Sequence, residues 1–378
     1  METTDNRSST LRLVRSLIVL GLIVVAVAAL APSILNTVQE ISPTETTHVE
    51  CIIGSEKSGF LDNQEVKDIL AREYGLDVSY RRMGSIEQAT TDLTGVDCLW
   101  PSNTSALEIF RENNPELFAS GTAKSEIIFN SPIVIYAWRP ITSALEDAGL
   151  VTEAADGRKE IDTAELMTML TSEDKPSWAD LGVTDLFGDF NVVTTDPTRS
   201  NSGNMFYALM ANMLVDGDIA TMSNIVEQLP TIKTFYDAQG RLEESSGILF
   251  EQFITLGMGA YPAIANYESL LIELAVNNPE QADAINSQIQ IIYPVPTVWS
   301  SHPLIALNNQ GKSLLDAMQD ERLQRIAWEQ HGFRSGLTGI QNDVTKFAIP
   351  GLASEVNAVI ALPRSNALLE MLGYLDSN

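Results

Sequence analysis

Two cysteines and three histidines in 378 residues leave little for metal or disulfide chemistry. A pair of Cys excludes a disulfide-dense scaffold and an all-cysteine zinc site. His48, His302 and His331 show no ligand spacing. Cations are scarce as well: 23 Lys and Arg stand against 50 Asp and Glu, a formal charge of −27. With no basic stripe, so acidic a chain repels phosphodiester backbones, and nucleic-acid binding is set aside. There is no Gly-x-Ser-x-Gly elbow, no Cys–His pairing and no Gly-x-x-x-x-Gly-Lys phosphate loop. The sequence therefore predicts no catalytic residue, no metal site and no cofactor. Apolar residues, by contrast, are plentiful. A hydrophobic content of 44% with 12 Phe, 9 Tyr and 5 Trp is enough to build one or two cores and excludes a disordered tail protein.

From Ser16 to Gln39, 24 residues pass without a charge, most of them Leu, Ile, Val or Ala, which is long enough to span a bilayer. Arg7, Arg12 and Arg15 precede this run, and Glu40, Glu45 and Glu50 follow it. The positive-inside bias then puts residues 1–15 in the cytoplasm, 16–39 across the membrane as a signal anchor and 40–47 outside as a tether. Ala26-Val27-Ala28 and Ala29-Leu30-Ala31 are small-x-small sites, so a cleaved secretory signal is the alternative, although Pro32 disfavours cleavage at the second. Either way the folded part is expected outside the cytoplasm, as a single-pass or a secreted protein.

Beyond the tether, strand and helix patterns alternate. His48–Ile53, Leu76–Tyr80 and Val96–Trp100 read as strands, with helical spacing over Asn63–Tyr74 and a short helix over Gln88–Leu93 between them. Ser131–Trp138 is a strong β run closed by Arg139-Pro140. A second series follows: Phe190–Thr194 and Met258–Ala260 as strands, Ser202–Leu214 and Ile248–Leu256 as helices, then Gln288–Pro294 as strand. Helices are expected at Gly311–Gln319 and Glu321–His331. Such alternation predicts an α/β fold in two lobes. Lobe 1 comprises 48–135 plus 300–336, lobe 2 comprises 136–299, and Ser131–Trp138 and Ile291–Thr297 are the crossings. Residues 337–378 form a C-terminal extension, whose Leu368, Leu369, Leu372 and Leu375 share one helical face expected to pack on lobe 1.

Several segments follow in an order that resembles the extracellular solute-binding proteins of ABC importers. They are Gly54-Ser55, Pro101-Ser102-Asn103, Trp178-Ala179-Asp180-Leu181, Thr195–Asn204, Gly259-Ala260-Tyr261, Asn266-Tyr267-Glu268, Ser301-His302-Pro303 and Gly332-Phe333-Arg334. The resemblance covers roughly residues 48–336. It implies the type II periplasmic-binding-protein fold of phosphate, sulfate and molybdate receptors. It also implies a monomer that closes on a small-molecule or oxyanion solute and meets ABC permease subunits. The anchor and the tail past Gly336 depart from the commonest family pattern. A tethered sensor or assembly module using the same fold without transport is the alternative function.

In parallel α/β sheets, ligands sit beyond the strand carboxyl ends, where helix N-termini expose N–H groups and partial positive charge. Here Ser55 and Ser58, Ser102 with Asn103, and Thr198–Asn204 precede helical spacing. The candidate ligand residues are Ser55, Ser102, Asn103, Thr198, Arg199, Ser202, Gly203, Asn204, Tyr261 and Tyr267. Ser, Thr and Asn at these places would serve equally as helix caps. Arg199 could clamp an oxyanion bidentately or make a surface ion pair. Lys57 is similarly placed but weaker. The two tyrosines could wall a cleft or sit half-buried in the core, while Asp196 would orient its loop and Glu268 would suit a cationic or hydroxyl-bearing ligand. Cys51 and Cys98 fall at the same height on strands that neighbour in a 2-1-3 order, so both a disulfide and two buried thiols are open.

Overall fold

The computed structural model describes residues 46–377. The cytoplasmic, membrane and most of the tether assignments therefore lie outside the described residues. Among the described residues no helix is long and apolar enough to cross a membrane.

Strand β1 (Thr47–Ile53) places Val49, Cys51 and Ile53 in one apolar cluster and Ile52 in another, so the sheet is buried on both faces. That is the pattern of a parallel strand covered by helices on each side. It pairs in parallel with β2 (Leu76–Arg82) and β3 (Cys98–Trp100). Cys51 and Cys98 are register partners with Cα atoms 4.7 Å apart and form a disulfide. Strand β9 (Trp299–Ala306) runs antiparallel between β3 and β4 (Lys124–Trp138).

Strand β4 joins the two lobes. Its first half, to Pro132, pairs with β9, and from Ile133 it pairs with β7 (Ala263–Tyr267) and β8 (Ile289–Val295). It is longer than the 131–138 run because Lys124–Asn130 also extends along β9. The ten strands follow the order β2-β1-β3-β9-β4-β8-β6-β5, with β5 as Val151–Glu153 and β6 as Lys159–Asp162, while β10 (Arg334–Ser335) and β7 both add to β4. The chain crosses a second time between β8 and β9.

Three local expectations change. Met258–Ala260 is a turn closed by Tyr261 N–H on Gly257 O at 3.0 Å, and the strand starts at Ala263 because Pro262 has no N–H to give a ladder. Phe190–Thr194 is extended but contributes only a bridge at Val193 to the edge of β7, with Phe190 and Val192 buried in the second core. The short helix before β3 is Ser85–Gln88 rather than Gln88–Leu93.

The C-terminal extension meets both lobes, and Leu369 lies off its buried face, exposed. Its helix Ser365–Asp376 buries Ala367, Leu368, Met371, Leu372 and Leu375 in the core of lobe 2, against the helix Leu229–Ala238. It also packs on lobe 1 against the helix Thr104–Asn113, where Ser365 Oγ donates to Glu108 at 2.7 Å. On the way the extension crosses the inter-lobe link: Thr297 N–H donates to Ala358 O at 3.0 Å and Ile360 N–H to Thr297 O at 2.9 Å. The apolar spacing identifies a helix; which lobe has the complementary surface is a property of the assembled cores.

Candidate functional site

Between the lobes lies a cleft of about 680 Å³. Lobe 1 lines it with Gly54–Glu56, Arg82–Glu87 and Ser102, and lobe 2 with Pro197–Asn201, Asn204, Glu244–Ser246 and Ile248. The segments are carboxyl ends of strands running into helix starts, so small and hydroxylic side chains converge there with backbone N–H groups.

Two of those helix starts, Asn201–Met213 and Ser246–Leu256, have Ser200 and Ser245 at the N-cap with no side-chain cap bond. By contrast, Asn103 caps Thr104–Asn113, its Oδ1 accepting from Ala106 N–H at 2.6 Å. The hydroxyls of lobe 2 pair among themselves: Ser202 Oγ lies 2.9 Å from Thr195 Oγ1 and 2.8 Å from Ser246 Oγ. Thr198 is turned by Asp196, whose Oδ1 accepts from its N–H at 2.9 Å and its hydroxyl at 2.7 Å.

Under the cleft floor is a buried polar cluster. Lys57 Nζ donates to Glu56 and to Ser102 Oγ at 2.7 Å, and lies 3.2 Å from His302 Nδ1. Burial alone would raise the Glu56 pKa, but the Lys57 ammonium and hydrogen bonds from Lys57 and Ser102 overcome it and hold the carboxyl at about 2. Burial pushes Lys57 down from the ordinary lysine value, opposed by Glu56. The geometry decides between these opposing tendencies: a short contact and two further polar neighbours keep the pair ionised at neutral pH. His302 is driven well below its ordinary value by burial and then by Lys57, so it is neutral.

Asn201 ties the lobes together. Its Nδ2 donates to Ser102 O at 2.8 Å and to the Tyr267 hydroxyl at 2.9 Å, and its Oδ1 accepts from Asn103 Nδ2. Away from the cleft, Arg334 Nε meets Glu268 Oε2 at 2.6 Å and His331 Nδ1 lies 2.7 Å from Glu273.

Of the ten candidate residues, Ser55, Ser102, Thr198, Arg199 and Asn204 line the cleft. Asn103, Ser202, Gly203, Tyr261 and Tyr267 stand behind or beside it. Gly203 is where two backbones touch: a Cβ there would sit 2.1 Å from Thr195 O. Tyr267 is fully buried, and half-buried Tyr261 gives its hydroxyl to Gln252. Arg199 is exposed and held by Glu244 at 2.9 Å, while Glu268 is buried on Arg334, away from the cleft lining. Sequence reasoning missed Glu56, Arg82, Gly84-Ser85, Glu87 and Glu244–Ser246, and it held Asn201 only as part of the Thr198–Asn204 cluster without singling it out. Ser245-Ser246-Gly247 carries the same hydroxyl-and-glycine signal as the helix starts that were recognised. Arg82 at a strand end carries no such local signal.

No protein-family model and no curated protein matches the sequence. Solved structures do match the fold. One is apo ferric ion-binding protein A from Pasteurella haemolytica, 12% identical, TM-score 0.51, covering 87% of this chain and 96% of that one. Another is the substrate-binding protein of an ABC transporter from Agrobacterium tumefaciens, 13% identical, TM-score 0.50, covering 88% and 95%. A third is the periplasmic binding protein P5PA, 10% identical, TM-score 0.50, covering 85% and 94%. With the cleft, the crossing strands and these likenesses together, the chain has the two-lobed α/β fold of periplasmic and extracellular solute-binding proteins.

Proposed function

We propose that the protein is an extracytoplasmic receptor that holds a small polar solute between its lobes and passes it to an ABC-type permease. One observation carries this reading: the cleft of about 680 Å³ is faced by two helix starts whose N-cap serines accept no first-turn N–H, although in the first of them Gly203 N–H is taken by Thr195 Oγ1. The apolar run 16–39 and the Cys51–Cys98 disulfide support an extracytoplasmic location, since such bonds persist in oxidising compartments. Each lobe offers part of the hydrogen-bonding surface, so a solute touching both stabilises the closed arrangement.

An oxyanion is one class such helix starts could hold. Arg199 gives it little help, because its guanidinium is exposed and engaged by Glu244. Ferric iron, in the name of one structurally similar protein, is not carried over to this chain.

A second reading, a membrane-tethered sensor or assembly module without transport, draws on the direct protein ties between the lobes, namely Asn201 and the C-terminal extension. Calorimetry and thermal melting of the full chain against oxyanions, amino acids and sugars separate the two. Heat with a melting shift from one member is the receptor outcome; neither from any member favours the module.

A further inference from the structure

We infer that the solute is a small zwitterion of the amino-acid kind, its carboxylate met by Arg82 and its ammonium by Glu87. This rests on the cleft being the solute site, and it follows from the charges that line it.

The charged side chains of the lining are Glu56, Arg82, Glu87, Arg199 and Glu244. Most are already neutralised. Glu56 is matched by buried Lys57, and Arg199 by Glu244. That leaves Arg82 and Glu87, neither of which has an ion-pair partner within 4.0 Å among the described residues. The cleft therefore offers one free charge of each sign. A dianion would gain Arg82 but face Glu87, whereas a molecule carrying both charges satisfies both.

Local structure supports the assignment. Arg82 ends β2, and its Nε donates to Ser58 Oγ at 2.8 Å, which steadies the stem and leaves both terminal nitrogens for a bidentate carboxylate. Glu87 follows on the helix Ser85–Gln88, so one short segment presents both charges. Gly84 between them packs against lobe 2, where a Cβ would lie 2.7 Å from Arg199 O, and this close approach keeps the space small. Opposite, Asn204 is 2% exposed and its Oδ1 has no donor, which suits an N–H group rather than a second anionic oxygen.

The test is calorimetry on the full chain with glycine, L-alanine and L-serine, with acetate and methylammonium as the separated halves, and with sulfate. The amino acids should bind, with acetate and methylammonium roughly 100-fold weaker because neither spans both charges. Arg82→Gln and Glu87→Gln should each lower amino-acid affinity about tenfold or more, with an unchanged melting temperature, since both residues are exposed. Acetate or sulfate binding as tightly as the amino acids, or an unchanged affinity in Glu87→Gln, overturns the zwitterion assignment and leaves the receptor reading standing. Silence from amino acids, oxyanions and sugars alike overturns both.

Discussion

Glu268 and Arg334 show how far a single residue can be read. From the Asn-Tyr-Glu step alone, Glu268 is a candidate for a ligand with donors. In the fold its carboxylate is fully buried, held by Arg334 Nε and Nη2 and by the Tyr293 hydroxyl, and Ala353 N–H closes the network on Tyr293 at 3.0 Å. No local pattern reveals a partner 66 positions away. Removing one member leaves the other charge buried and uncompensated, so Glu268→Gln should lower stability by about 3–5 kcal/mol in denaturant unfolding. At Gly203 the group that a Cβ would meet is Thr195 O, at 2.1 Å. Gly203→Ala should destabilise by about 1–3 kcal/mol through overpacking, measured the same way. A variant as stable as the parent would show that the backbone there yields.

At the scale of elements, alternation along the chain was enough to find β1, β2, β3 and the second half of β4, because β1, β3 and that half of β4 are apolar runs ending at Gly, Pro or Arg and β2 spaces Leu76, Val78 and Tyr80 with a period of two. Helix starts were legible for the same reason, since hydroxyl side chains cluster where N–H groups need acceptors. The extension was half legible: its spacing marks one apolar face, yet the sequence cannot say which core has room for it. Leu368 is fully buried in the core of lobe 2. Leu368→Ala should cost about 2–5 kcal/mol and be visible as a lowered melting temperature. A change near zero would mean that the extension is not held on that core.

For the whole molecule, acid is the informative perturbation, because the buried charged cluster under the cleft ties the first helix start of lobe 1 to Ser102 and to His302 on β9. Glu56 has a folded pKa of about 2 against an ordinary 4.5, so its contribution is complete above pH 4.5 and lost as pH falls through about 2. His302, held neutral with its pKa well below 6.5, takes up its proton first in the unfolded chain, so stability also falls as pH drops below 6.5. Lys57 is depressed too, but it acts only toward alkaline pH. Both acid-side groups have the same sign: melting temperature should fall steadily from pH 7 to pH 3, and His302→Gln should flatten the part that begins at about 6.5. An equally steep profile in that variant would remove His302 from the account.

The central claim is that the two lobes grip one solute in the cleft. Amide hydrogen exchange of the full chain, with and without each oxyanion, amino acid and sugar of the calorimetry panel, tests it most directly. The account predicts that at least one solute slows exchange together at Ser55–Ser58 in lobe 1 and at Ser200–Asn204 and Ser245–Ile248 in lobe 2. Protection confined to one lobe, or none at these segments with any member, would contradict it.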